Sequence, residues 1–413
     1  MAAGPGATAR TDAAELYEGD RVEVTVGPIA HGGHCVARHE GRVIFVRHAL
    51  PGERVVTEIT EINKAYLRGD CVEVLEASAD RITPRCPYAH ADGCGGCDLQ
   101  HVAPPAQREW KAVVVREQLA RLGGLDAAGV EALGVAVEAL PGGDEGWRTR
   151  VRYRADALGR PGLLKHRSNE VVPISRCRIA HPGIQALDVL ERRWPDTDVI
   201  DVVKPSSGPA QLVRQPPQEI EERAAGHAFT ISAGGFWQVH PAAADTLVGA
   251  VRELLAARPG EHAWDLYGGA GLFAAALADD VGVTGAVTMV ESARDGVAAA
   301  RGNLAGLPVR VVEATVERAL HRDRRPKERL PRPDVVVLDP PRTGAGAAVV
   351  RAITAAGPRA VAYVACDPAA LARDVRTFRD QGWELRALRA FDLFPQTHHV
   401  ECVALLTPAG GPR

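Results

Sequence analysis

The chain has 413 residues, 46% hydrophobic and 24% charged, with a formal net charge of −3. That length suits two or three domains with a full hydrophobic core. No apolar run approaches the ~20 residues that span a bilayer, and the charge balance does not announce a nucleic-acid partner, so any basic surface must be local. The start "MAAGPGATARTDAAE" lacks the apolar core of a signal peptide, and residues 1–14 read as a disordered tail. The protein is therefore expected in the cytoplasm, where its eight cysteines should stay reduced.

Residues 15–77 read as a small all-β unit. "DRVEVTVG", "GRVIFVRHAL", "ERVVTEITEI" and "GDCVEVLEA" alternate or run β-branched between Gly and Pro turns, which suggests a small closed barrel. A cysteine-bearing stretch follows, "SADRITPRCPYAHADGCGGCDLQH", and then a helix, "PAQREWKAVVVREQLARLGG", opened by Pro and closed by Gly123-Gly124. Residues 127–146 look like a variable connector.

In "WRTRVRYRA" the side chains of Arg148, Arg150, Arg152 and Arg154 alternate with Thr149, Val151 and Tyr153. A strand puts the arginines on one face and the others toward a core. Such a face either binds a polyanion or is solvated, with carboxylate partners elsewhere. From about residue 231 the rhythm becomes strand, helix, strand: "EHAWDLY", "GAVTMVE", "VRVVEA", "DVVVLDPP" and "AVAYVACDP" are separated by Ala-rich helical stretches. That predicts a parallel, doubly wound sheet. "GWELRALRAFDLF" and "HVECVALLTP" end the chain as consecutive strands, and an antiparallel pair at the end suits a class I methyltransferase fold better than a dehydrogenase domain.

Five motifs carry chemistry. In "WDLYGGAGLFA" a strand ends at Tyr267, and Gly268, Gly269 and Gly271 let backbone amides approach a ligand; Glu291 ends the next strand, where an acid can accept ribose hydroxyls. This turn is compatible with either NAD or S-adenosylmethionine, because Gly269, Gly271 and Ala274 also satisfy the dinucleotide pattern. In "DVVVLDPPRTG" an apolar strand delivers Asp339 to the same edge, ahead of a rigid Pro-Pro. Asp-Pro-Pro at this strand is typical of methyltransferases acting on nitrogen or nucleobases.

Cys366 ends the next strand at that edge, whereas Cys35, Cys71 and Cys402 read as small apolar fillers. Beside a methyl donor, a thiolate can add to C6 of uracil and make C5 nucleophilic. A base must then remove the C5 proton; Glu401, in "FPQTHHVECVALL", is the first candidate, with His398 and His399 as rivals. Cys86, Cys94 and Cys97, with Cys177 downstream, suit zinc or an iron–sulfur cluster, and spacing alone leaves both open. In "GGFWQVHP", Phe236 and Trp237 are either base-stacking aromatics or core residues.

Taken together and in this order, "CPYAHADGCGGCDLQH", "FWQVHP", "DLYGGAGLF", "VLDPPRTG", "YVACDPAALARD" and "FPQTHHVE" resemble the RNA uracil-C5 methyltransferase family, which makes 5-methyluridine in ribosomal and transfer RNA. The resemblance spans about residues 15 to 407. It implies a multidomain chain: an OB-like TRAM barrel over 15–77, a central α+β iron–sulfur and RNA-binding domain over 78–230, and an α/β class I methyltransferase domain over 231–413. It further implies a [4Fe-4S] cluster on Cys86, Cys94, Cys97 and Cys177. S-adenosylmethionine would meet Gln238, Tyr267, Glu291 and Asp339, together with the Gly269 turn.

Carried over the same way, Phe236 would meet the target uracil, Cys366 would be the nucleophile and Glu401 the base. RNA would lie across the barrel and the strand bearing Arg148, Arg150, Arg152 and Arg154. Leu272 and Ala314 depart from the family's polar cofactor contacts. The expected activity is uridine-C5 methylation of 23S rRNA, or else of tRNA. Outside the family, an NAD and iron–sulfur oxidoreductase or a non-catalytic RNA-binding protein would share parts of the pattern. The chain is expected to act as a monomer without a membrane partner.

Overall fold

Five strands, Arg21–Ala30, His34–His39, Arg42–Arg47, Arg54–Ile62 and Leu67–Glu76, close into a barrel in the order 1-2-3-5-4. They belong to a computed structural model that describes residues 16–321 and 329–410; the tail expected over 1–14 lies outside the described residues. Val22, Val24 and Val26 point inward while Arg21, Glu23 and Thr25 are exposed, the period-2 alternation that a one-sided strand requires. At Gly69 the strands approach so closely that a Cβ would lie 2.4 Å from the Thr57 methyl and 2.8 Å from the Glu58 carbonyl oxygen.

The compact unit built on this barrel runs to Thr83. Its end is tied down by Glu53, which is fully buried. The Glu53 carboxylate accepts Arg81 at 2.6 Å through both oxygens and the backbone N–H groups of Leu50 and Ser78 at 2.8 and 3.1 Å. Burial alone would raise its pKa; Arg81 and the two amides hold it below the ordinary glutamate value instead. The resulting stability is present above the ordinary pKa and fades as pH falls through the folded one. An Arg81→Met variant leaves that carboxylate without its cation, and about 3 kcal/mol of barrel stability should go with it. Urea denaturation would show this, and an unshifted midpoint would contradict it.

Residues 84–413 form the second compact unit. Its main sheet has eight strands in the order Val309–Glu313, Ala286–Glu291, His262–Leu266, Val335–Leu338, Ala360–Ala365, Glu401–Pro408, Trp383–Asp392 and Val137–Ala139. The first five are parallel, and Glu401–Pro408 runs antiparallel to both its neighbours. Val335–Leu338 and Ala360–Ala365 are buried at every residue, as strands covered on both faces must be. Helices Ala243–Leu255 and Leu272–Val281 share one hydrophobic core with the sheet. On the other core, Ala112, Val115 and Leu119 of helix Pro104–Arg121 join Val375 and Phe378 of helix Pro368–Asp380.

Two elements inside the 78–230 segment are thus built into the C-terminal layer. Helix Pro104–Arg121 covers it, and Val137–Ala139, from the stretch read as a variable connector, is its edge strand beside Trp383–Asp392. A strand of this length is too short to show a period in sequence. The rest of the segment makes a five-stranded sheet ordered Gln211–Leu212, Val199–Val203, Arg150–Ala155, Pro161–Leu164 and Val171–Pro173. A hairpin, Glu219–Ala224 with His227–Ser232, leads from it toward the larger sheet. No helix among the described residues is long and apolar enough to cross a membrane.

Candidate active site

Parallel strands deliver their last residues to one edge, which is where open α/β sheets bind ligands. Tyr267 follows His262–Leu266, Glu291 ends Ala286–Glu291, Asp339 follows Val335–Leu338, and Cys366 follows Ala360–Ala365. Glu401 begins the antiparallel strand, so it reaches the same edge from the opposite direction. Topology therefore gathers six of the predicted residues, including Gly269, at one place.

The Gly-rich turn is shaped by sterics. Tyr267, Gly269 and Gly271 have φ of 64°, 55° and 98°. A Cβ on Gly268 would strike Met289 at 2.6 Å and Asp265 at 2.9 Å, whereas one on Gly269 would meet nothing within 4 Å. Open space thus borders Gly269. Glu291 accepts the Gly269 N–H at 2.9 Å through one oxygen and the Ser292 and Ala293 amides at 2.6 and 2.5 Å through the other. Leu272 is buried in the core, and the Ala314 amide bonds back to the Glu291 carbonyl at 2.9 Å.

Asp265 is the residue that sequence reading missed. It is fully buried, and only the Ala274 backbone amide, too loosely placed for a well-formed hydrogen bond, offsets that burial. Burial, with Asp339 and Glu291 near, pushes its pKa up to about 8, and burial lifts Asp339 to about 7. An acid in the middle of the apolar run "HAWDL" was the available signal. Asp339 and Glu291, partly exposed at the sheet edge with Asp265 buried near them, make an acidic edge that suits a cationic ligand, and S-adenosylmethionine carries both a sulfonium and an ammonium. The residues present therefore fit that cofactor.

Cys366 is half-buried. Burial, then the charges of Glu401 and Asp339, push its pKa up to about 12, against the opposing pull of Arg342. Glu401 is 4% exposed and is raised well above the ordinary glutamate value by burial and Asp339. Arg342, on the loop after the prolines, lowers both groups and donates to the His399 Nε2 at 3.2 Å. His399 is driven down to about 3 by burial, then by His398 and Arg342, so it is neutral. The loop is held from below by Asp374, which accepts the Tyr363 hydroxyl and the Ala345 amide at 2.7 Å. Iodoacetamide labelling of Cys366, followed by mass spectrometry of its peptide, should rise about tenfold per pH unit from about pH 7 to 10. A plateau below about pH 9 would contradict the buried, acid-flanked thiol.

The remaining predicted residues divide. Phe236 is 77% exposed while its neighbour Trp237 is buried against Phe229 at 5.2 Å between ring centroids. Gln238 is half-buried on the same segment. Val151 and Tyr153 do face the core, but the arginines do not form one free cationic face. Arg150 donates to the Ala233 and Gly235 carbonyls at 3.0 and 2.8 Å and to buried Glu222 at 3.2 Å, so it buttresses the segment carrying Phe236. Arg152 makes a two-pronged pair with Asp201, directly opposite on the next strand, at 2.7 and 2.9 Å. Arg148 donates to the Arg150 carbonyl at 3.2 Å, and Arg154 is half-buried. The partners of Arg150 and Arg152 come from segments distant along the chain, which spacing within one strand cannot reveal.

Cys86, Cys94, Cys97 and Cys177 line a single cavity together with Arg148 and Gln100. Among the described residues, no group of three or more His, Cys, Asp or Glu is arranged to hold a metal ion. Gly95 sits against the His166 backbone, where a Cβ would lie 2.5 Å from its amide nitrogen, so the tight Cys-Gly-Gly-Cys turn requires glycine.

The TRAM domain family matches residues 15–72, and the tRNA (Uracil-5-)-methyltransferase family matches residues 219–409. A Streptomyces avermitilis protein described as an uncharacterized RNA methyltransferase is 48% identical, covering 95% of this chain and 99% of that protein. The 23S rRNA (uracil(1939)-C(5))-methyltransferase RlmD of a Shewanella species is 31% identical over 92% of this chain and 94% of its own. The Pyrococcus abyssi tRNA (uracil-54, C5)-methyltransferase, solved with S-adenosyl-L-homocysteine, shares the fold with a TM-score of 0.69 at 20% identity, over 93% of this chain and 99% of that one. A closed N-terminal barrel, a methyltransferase sheet and these relatives lead to one assignment: the chain belongs to the TRAM-containing RNA uracil-5-methyltransferase family and is an S-adenosylmethionine-dependent RNA methyltransferase.

Proposed function

We propose that the protein methylates C5 of a uridine in 23S rRNA through a covalent bond between Cys366 and C6 of the base. The observation that carries this reading is the strand register: Ala365 pairs with Cys402, so the next residues, Cys366 and Glu401, reach the same acidic sheet edge side by side. S-adenosylmethionine would be held by Gln238, Tyr267, Gly269, Glu291 and Asp339, and supplies an electrophilic methyl group. Exposed Phe236 would stack on the target uracil, which must leave its own stack at a cost of a few kcal/mol. The Cys366 thiolate would add to C6, C5 would take the methyl carbon as its bond to the sulfonium sulfur breaks and leaves a neutral thioether, Glu401 would remove the C5 proton, and the C6–S bond would break to restore the ring double bond.

Ribosomal RNA is favoured by likeness to RlmD along nearly the whole chain. Mass spectrometry of nucleosides mapped onto rRNA and tRNA from a deletion strain tests it. Loss of 5-methyluridine from 23S rRNA is expected; loss from tRNA alone would give the tRNA reading instead.

For a [4Fe-4S] cluster the support is that Cys86, Cys94, Cys97 and Cys177, the four thiols the family resemblance assigns to it, line one cavity. Such a cluster would supply a structural cross-link, since the methylation needs no electron. Protein purified without oxygen should carry about four irons and four sulfides per chain. Cys94→Ser and Cys97→Ser should lose them, and iron-free native protein would overturn the assignment.

A further inference from the structure

The turn between the last two strands, residues 393–400, precedes Glu401 and is held from outside the hairpin. Its Gln396 has φ of 70°, a left-handed conformation that a non-glycine residue adopts only under constraint. Five hydrogen bonds supply the constraint. The Gln396 amide donates to the Gln107 side-chain oxygen at 3.0 Å, and the Gln107 side-chain nitrogen donates back to the Gln396 side-chain oxygen at 3.0 Å. The Gln396 carbonyl accepts the Asp98 and Leu99 amides at 2.9 and 3.0 Å. Its side-chain nitrogen donates to Asp144 at 2.9 Å.

Two residues on, the His398 ring nitrogen meets the Asp98 carboxylate at 2.7 Å. Gln107 itself is 1% exposed and also donates to the Leu99 and Val102 carbonyls at 3.0 and 2.8 Å, so it locks the cysteine loop and the turn to each other. The amides of Asp98 and Leu99 directly follow Cys97, which lines the cysteine cavity.

We propose that Gln107, with the Asp98–Leu99 backbone, forms a positioning clamp that holds the 393–400 turn, and through it the Glu401 carboxylate, in the geometry needed to release the methylated base from Cys366. This rests on the roles of Cys366 and Glu401 proposed above. The clamp acts on one step. Attack of sulfur on C6 and methyl transfer to C5 precede it. Release requires the Glu401 carboxylate to take the C5 proton as the C6–S electrons return to sulfur and the C5–C6 double bond re-forms. A clamp defect therefore leaves adduct formation intact and slows elimination. A general loss of structure would depress both.

The test compares Gln107→Leu, which keeps bulk and removes all four hydrogen bonds, with native full-length enzyme in single turnovers. With ordinary uridine RNA, the variant should accumulate a denaturant-stable protein–RNA adduct and release 5-methyluridine at least about tenfold more slowly. With 5-fluorouridine RNA, which has no C5 proton to lose, both should form adduct at similar rates. If Gln107→Leu does not fold, Gln396→Ala decides: it removes only the side-chain bonds and should show the same pattern more weakly. Product release at the native rate without adduct overturns the clamp. So does equal loss of fluorouridine trapping and product release, which marks a merely structural residue. Failure of the native enzyme itself to trap fluorouridine RNA overturns instead the covalent reading beneath it.

Discussion

A Cys366→Ser enzyme should still bind S-adenosylmethionine and RNA, yet lose 5-methyluridine formation by a factor on the order of 10⁴ or more. Uracil C5 is too weakly nucleophilic to take a methyl group unaided. Addition of sulfur at C6 pushes electrons toward C5 and O4, and only then does C5 attack the methyl carbon. Serine cannot replace the thiol, because an alkoxide is far less accessible than a thiolate near neutral pH. The free site makes even the thiolate costly, with the Cys366 pKa pushed up to about 12. The chain offers Arg342 as the opposing cation, so Arg342→Ala should slow adduct formation in the same assay without mimicking the serine variant's complete loss. Mass spectrometry of RNA after reaction with folded Cys366→Ser decides the point: methylation at the native rate would remove the covalent scheme altogether.

Glu401→Gln should fail differently, by stopping after methyl transfer. The amide is isosteric and leaves the nucleophile in place, but it cannot accept the C5 proton. Ordinary uridine RNA should therefore stay bound to Cys366 through a bond that survives denaturation, with turnover reduced on the order of 10²- to 10⁴-fold. The protonation state explains why this carboxyl is suited to the step. Burial and Asp339 raise it well above an ordinary glutamate, making it a strong base once ionised. With Glu401 raised, the proton-accepting form grows as pH rises, so elimination should accelerate with pH in the native enzyme and show no such dependence in Glu401→Gln. Release of free 5-methyluridine RNA by Glu401→Gln at more than about a tenth of the native rate would assign the base elsewhere, with neutral His399 the next residue to test.

Much of this was readable in one dimension. The barrel's alternation, the strand–helix rhythm after residue 231 and the antiparallel ending are local patterns, and local patterns follow from side-chain period and backbone propensity. The edge residues Tyr267, Glu291, Asp339 and Cys366 were legible for the same reason: each ends an apolar run, and parallel topology carries every such end to one side of the sheet. Asp265 was overlooked because an acid inside an apolar run looks like noise until its burial is known. The arginine strand was legible in its alternation and illegible in its purpose. Asp201 and Glu222, which engage Arg152 and Arg150, lie 49 and 72 residues away along the chain.

The sequence by itself determined which residues sit at strand ends and which face a core, because a period of two or 3.6 residues and the glycine, proline and cysteine positions are properties of neighbours. Tertiary structure alone decided the electrostatics and the clamp. A pKa depends on what surrounds a group in space, and Gln107 reaches Gln396 across 289 positions. No periodicity encodes a contact between segments that only the closing of the sheet and the packing of Pro104–Arg121 against it bring within hydrogen-bond reach.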